Sequence, residues 1–145
     1  MKPTVPKTVL ATVYGSVESD WHQHENGKGW VYKTARVEAR VYLGPTSKVS
    51  GDAQVSGDAR VFGDAWVFGD AQVSGDAQVS GDAQVYGDAQ VYGHAWVYGH
   101  AWVFGDARVS GDAQVSGHAQ VFGDAQVFGD AQVSGDAGRN EAVVF

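Results

Sequence analysis

From Gly51 to Gly135 the chain repeats "G-[D/H]-A-x-V-x" every six residues, without insertion or deletion. Few features restrict a fold so tightly. Within "A-x-V-x" the side chains alternate, so Ala and Val share one face of a short strand and the two variable residues share the other. A six-residue period fits neither the helical repeat nor a heptad. Hairpins would need turn chemistry of their own and would not demand so constant an Ala-to-Val spacing. The economical solution is a coil of three short strands and three corners, each strand stacking on its counterpart 18 residues away. Vertical pairing then satisfies the backbone, while Val and Ala fill a narrow, dry bore with no room for an internal ligand. At the bends, Gly supplies conformational freedom and Asp is expected to cap local backbone N–H groups.

The same frame can be followed backwards through weaker residues. Val31, Val37, Leu43 and Val49 occupy the large apolar position, and Ala35, Val41 and Ser47 the small one. "GKGWVY", Gly27–Tyr32, is the first unit of the uninterrupted run. Before it, "ATVYGSVE" (Ala11–Glu18) resembles one more repeat, and "SDWHQHEN" breaks the frame. Three regions are therefore expected. Residues 1–26 form an atypical N-terminal cap with a partial repeat and a loop. Residues 27–137 form roughly six turns, about 30 Å long at the spacing of paired strands. Residues 138–145 form a C-terminal cap or tail, where Arg139 stands in place of the expected Val. Caps are physically required, because an open turn exposes apolar core and strand edges.

"LGPTSK", Leu43–Lys48, has an aliphatic residue, Gly, two variable residues, a small residue and one more variable residue. The dominant "VSGDAQ" keeps the aliphatic and small positions but places Gly one residue later. In these residues the chain resembles the hexapeptide-repeat, left-handed parallel β-helix family, over roughly residues 27–137. The resemblance implies an all-β, single-domain, triangular solenoid. Its left hand comes from the resemblance alone, since ordinary crossover rules favour the other hand. Many members of that family are acyltransferases, often trimeric, although the coil motif does not itself carry that activity. The resemblance places a general-base His on a coil-interrupting loop or near a subunit boundary. His22 or His24 would there accept a proton from a substrate hydroxyl or amine attacking an acyl thioester. No oxyanion site, long extruded loop or acyl-carrier pocket accompanies them, so acyl-CoA-dependent transfer is the enzyme alternative to a noncatalytic role.

The formal charge of -7 is unevenly spread. Residues 45–137 hold 12 Asp and no Glu against Lys48, Arg60 and Arg108, a sum of -9, whereas residues 1–44 sum to +2. Such a body has no basic track for direct nucleic-acid binding. It would suit a basic protein partner, and an acidic, nucleic-acid-mimicking inhibitor is a second alternative. The start, "MKPTVPKTVLATVYG", has no apolar stretch suited to a secretory signal or membrane span. The expected setting is the cytoplasm, or a particle assembled there, such as phage or prophage structure, without a membrane partner. There is no cysteine, hence no disulfide framework or thiolate chemistry.

Folding the sequence at 18 residues per turn makes its surface readable as columns. One face carries Trp30, Lys48, Trp66, Gln84, Trp102 and Gln120, then Tyr32, Ser50, Phe68, Tyr86, Phe104 and Phe122; eight of these twelve are aromatic. β-Propensity favours aromatics on strands, but their concentration on one face points to a contact surface. Trp30, Tyr32, Trp66, Phe68, Tyr86, Trp102, Phe104 and Phe122 are the expected interface residues. They would serve self-association, trimeric in the family pattern, or binding to another protein or to a stacked carbohydrate.

"VYGHAWVYGHAWVFGD", Val91–Asp106, puts His and Trp where Asp and Gln usually stand. The turn length separates its halves onto different faces and places His100 between Asp82 and His118. No cofactor is expected, but His100, His118, Asp82 and Asp136 are candidate ligands for Zn²⁺ or a similar divalent metal. Parallel stacking would instead point the imidazoles outward without convergence.

Overall fold

Every third hexapeptide joins the same parallel sheet, so the repeat builds three sheets at once. The computed structural model describes residues 4–135 and the backbone of residues 138–139. Sheet A runs from Trp30–Tyr32 through Lys48–Val49, Trp66–Val67, Gln84–Val85, Trp102–Val103 and Gln120–Val121 to Gly138–Arg139. Sheet B starts at Arg36–Val37 and sheet C at Tyr42–Leu43; each has six strands, one per turn, giving a solenoid of six turns. The register is the 18-residue step, with Gln84 opposite Trp102 and Val85 opposite Val103.

The Ala and Val of each repeat face inward and are almost wholly removed from solvent, from Ala53 to Val133. β-Branched Val suits a pleated, buried surface, and Ala lets the three sheets approach closely. Ser47 takes the Ala position in an early turn. Its hydroxyl is buried but satisfied, donating to the Gly44 carbonyl at 2.7 Å.

Beyond the first turns, where Thr34, Thr46 and Glu38 side chains bond corner backbone groups, corner chemistry is carried by main chain. At Phe68-Gly69-Asp70-Ala71 the Ala71 N–H closes the turn on the Phe68 carbonyl at 3.4 Å, and Gly69 has φ +67°. Positive φ at the first central residue alone is the signature of a type II′ turn, which needs Gly there. A Cβ at Gly69 would also meet the Gly87 nitrogen of the next turn at 2.9 Å. Turn type thus accounts for Gly one residue later than in "LGPTSK". The expected capping role of Asp is corrected. The Asp70 backbone N–H donates to the Gly87 carbonyl at 2.8 Å. Among the described residues, the side-chain partners of corner aspartates are Arg40, His94 and His100.

The N-terminal residues close sheet A. Trp21–Gln23 pairs antiparallel with Trp30–Tyr32, and a short helix, Lys7–Leu10, lies over them. Val5, Val9, Trp21 and Trp30 form a second buried cluster beside the main core. The run Ala11–Glu18 forms no rung of the coil, correcting the expected partial repeat. Val13 packs with Leu10 against the cap cluster instead of entering the bore, and Tyr14 is fully exposed. Among the described residues no helix is long and apolar enough to cross a membrane.

Candidate functional site

In-register parallel strands place side chains of one column about 4.8 Å apart, close to the spacing at which aromatic rings stack. Sheet A uses this. Phe68 and Tyr86 have ring centroids 4.7 Å apart, Tyr86 and Phe104 5.0 Å, and Phe104 and Phe122 5.3 Å, with interplanar angles of 7°, 3° and 10°. Four successive turns thus carry one continuous ladder of half-buried rings. Trp66 stacks beside Phe68 at 4.0 Å, and its indole N–H donates to the Ser50 hydroxyl at 2.9 Å. Trp102 meets Tyr86 edge-on at 6.4 Å and stays 37% exposed. The ladder is orderly because each ring is clamped by the rings one turn away, and burial pushes the Tyr86 phenol up from its ordinary pKa.

At the N-terminal end the patch meets a cation. The Lys48 ammonium lies 5.9 Å from the Trp66 ring centroid. Partial burial pushes its pKa down, while Asp64 and Asp82 act in the opposite direction. The aromatic surface therefore has one positive edge on an otherwise acidic body.

Six of the eight expected interface residues lie in this patch: Trp66, Phe68, Tyr86, Trp102, Phe104 and Phe122. Trp30 and Tyr32 do not. Trp30 is 3% exposed, covered by Val5, Val9 and Trp21, and half-buried Tyr32 packs edge-on against Trp21 at 5.2 Å. The cap occupies the place where the column would have continued to solvent, so these two rings hold the end of the coil.

The metal candidates divide. His100 Nδ1 lies 3.2 Å from Asp82 Oδ2, and the His100 and His118 rings are stacked at 4.9 Å with planes 6° apart. In-plane lone pairs of parallel rings run side by side and do not converge on one ion. No group of three or more metal-ligating side chains forms among the described residues. Asp136 lies outside the described residues. His94 repeats the exposed corner pairing, with Nδ1 3.5 Å from Asp76 Oδ2.

The two candidate general bases also part. His24 is buried, its Nε2 2.7 Å from the Val41 carbonyl oxygen, so its ring is a plug tied to the first turn. A carbonyl can only accept, which assigns the proton in that bond to Nε2. His22 is exposed on Trp21–Gln23, with its pKa lowered by partial burial and then by the neighbouring His24. No nucleophile, carboxylate or second imidazole is hydrogen-bonded to its ring among the described residues.

Sheet C holds an arrangement that column reading passed over. Tyr42, Phe62, Trp96 and Tyr98 are aromatic there, and Arg60 lies over both the Tyr42 ring at 5.4 Å and the Phe62 ring at 5.6 Å. A cavity of about 260 Å³ opens between Phe62, Gln78, Ser80, Trp96 and Tyr98. The signal was present in the sequence as two aromatics 36 residues apart with Ser80 midway.

Comparison with known families agrees with this architecture. The model described as the YdcK beta solenoid repeat matches residues 53–69, 71–87, 83–99 and 101–117. Comparisons with curated proteins and with solved structures found no match. The chain is an all-β solenoid repeat protein of six turns, similar over those four stretches to the YdcK beta solenoid repeat.

Proposed function

We propose that the protein is a noncatalytic assembly or protein-binding module whose contact surface is the aromatic ladder of sheet A. The observation that carries this is the unbroken run of Trp66, Phe68, Tyr86, Phe104 and Phe122, flanked by exposed Trp102. Each ring is stabilised by its neighbours yet keeps part of its area in water, and flat aromatic area is the usual anchor of a protein interface. The rings are pre-ordered by stacking, which lowers the entropy cost of binding.

Self-association is the favoured form, with three copies packing their sheet A faces. The three-fold number and a left-handed winding of hexapeptide type rest on the resemblance of "LGPTSK" and its neighbours. Rigidity belongs to the role: a Val/Ala bore with main-chain corner ladders presents the surface as a fixed plane. Light-scattering mass of the wild type and of a Trp66→Ser/Trp102→Ser variant tests the assembly. The expected result is a multiple of the 15.3 kDa chain that falls to one chain in the variant. A wild type that stays at one chain at high concentration would overturn self-association.

A further inference from the structure

We propose that the cavity on sheet C is a binding slot for one small planar aromatic molecule with a hydrogen-bonding edge, of the phenol class. Sheet A supplies the ruler. Its consecutive rings stand 4.7–5.3 Å apart, one turn each. On sheet C, Phe62 and Tyr98 occupy the corresponding column two turns apart, and the rung between them is Ser80. Two strand spacings separate their backbone positions by about 9.6 Å. One flat ring placed midway would lie at ordinary stacking distance from both walls, where a side chain of the protein would otherwise complete the ladder.

The walls are held in place before anything binds. Tyr98 is anchored by its hydroxyl donating to Gln114 Oε1 at 3.3 Å, and Trp96 stands edge-on to it at 6.3 Å with planes 78° apart. Arg60 packs on Phe62 without lining the cavity. The slot is open to solvent on one side, with exposed Trp96 on its rim, and its volume of about 260 Å³ has room for a single ring and falls short of the roughly 300 Å³ of drug-sized sites. The polar contribution comes from the floor and one flank, the Ser80 hydroxyl and the Gln78 amide, both half-buried. A wholly apolar ring would leave these groups facing it unpaired, so a ring carrying a hydroxyl or ring N–H is the better occupant. The slot is on a different sheet from the ladder proposed for assembly and stands or falls independently.

Saturation-transfer NMR with p-cresol and methyl β-glucoside as separate probes of the full chain provides the test. The expected result is transfer to p-cresol, loss of at least ten-fold in affinity in Ser80→Phe, and wild-type binding in Ser116→Phe, one turn beyond Tyr98. Ser80→Phe fills the missing rung, and Ser116→Phe adds the same ring outside the slot. If Ser80→Phe does not fold, Phe62→Ala removes one wall and is expected to give the same loss. Undiminished p-cresol binding in the slot variant, binding of the glucoside in its place, or binding of neither probe would overturn the proposal.

Discussion

Phe68 and Tyr86 lie one turn apart with their ring planes 7° from parallel, so the surface of sheet A is ordered by the same step that builds the core. Tyr86 is the central member, stacked on Phe68 and Phe104 and touched edge-on by Trp102. Tyr86→Ser removes three aromatic pairs and is expected to lower stability by about 1–3 kcal/mol. Urea unfolding measures this. A loss confined to a few tenths would mean that the rings are merely adjacent.

Corner glycines are required twice over, by φ and by stacking. Gly87 has φ +67°, and a Cβ there would meet the Gly105 nitrogen at 2.9 Å. Gly87→Ala is expected to cost about 2 kcal/mol or more, since left-handed backbone alone costs an L-residue about 1–2 kcal/mol. Asp88→Ala, at the neighbouring position, should change stability by no more than about 0.5 kcal/mol. The pair of denaturation curves separates backbone geometry from carboxylate capping. Equal losses would restore a capping role to the aspartates.

The cap should be separable from the coil. Trp30 is buried among Val5, Val9 and Trp21, and solenoid stability is a sum of local and nearest-neighbour contributions. Trp30→Ala is expected to raise amide exchange over residues 5–23 while leaving residues 60–120 near wild-type protection. Uniform loss of protection would show that the cap and all six turns unfold as one unit.

Acid should act first at the same end. Asp20 has its pKa lowered by accepting the Val17 N–H at 2.9 Å and then by its pairing with Lys33 at 3.0 Å. A lowered carboxylate pKa contributes stability that is complete above the unfolded value and is lost as pH falls through the folded value. Cap amides are therefore expected to lose protection below the ordinary aspartate range, and Asp20→Asn should flatten that acid limb. An unchanged limb in Asp20→Asn would assign it to other groups.

Much of the architecture was legible because the repeat is uninterrupted. Any residue and the one 18 further on share a column, and Gln84 opposite Trp102 is that rule realised. The ladder of sheet A could be listed ring by ring for the same reason. Trp30 was misplaced because its environment is made by Val5, Val9 and Trp21, whose contacts follow no period. His24 looked like a free base on a loop, and only the folded chain brings the Val41 carbonyl to its ring. Ser80 was hidden differently. Its column reads Gly44, Phe62, Ser80, Tyr98, Ser116 and Ser134, mostly small or polar, and the single gap between two rings becomes a cavity only in three dimensions.

Hydroxyl-radical footprinting of the protein at assembling and at dilute concentrations tests the contact surface most directly. The account predicts protection on assembly at Trp66, Phe68, Tyr86, Trp102, Phe104 and Phe122 of sheet A, with exposed Tyr92 of sheet B equally reactive in both states. Sheet A rings that react alike at both concentrations, or protection falling on sheet B or C instead, would contradict it.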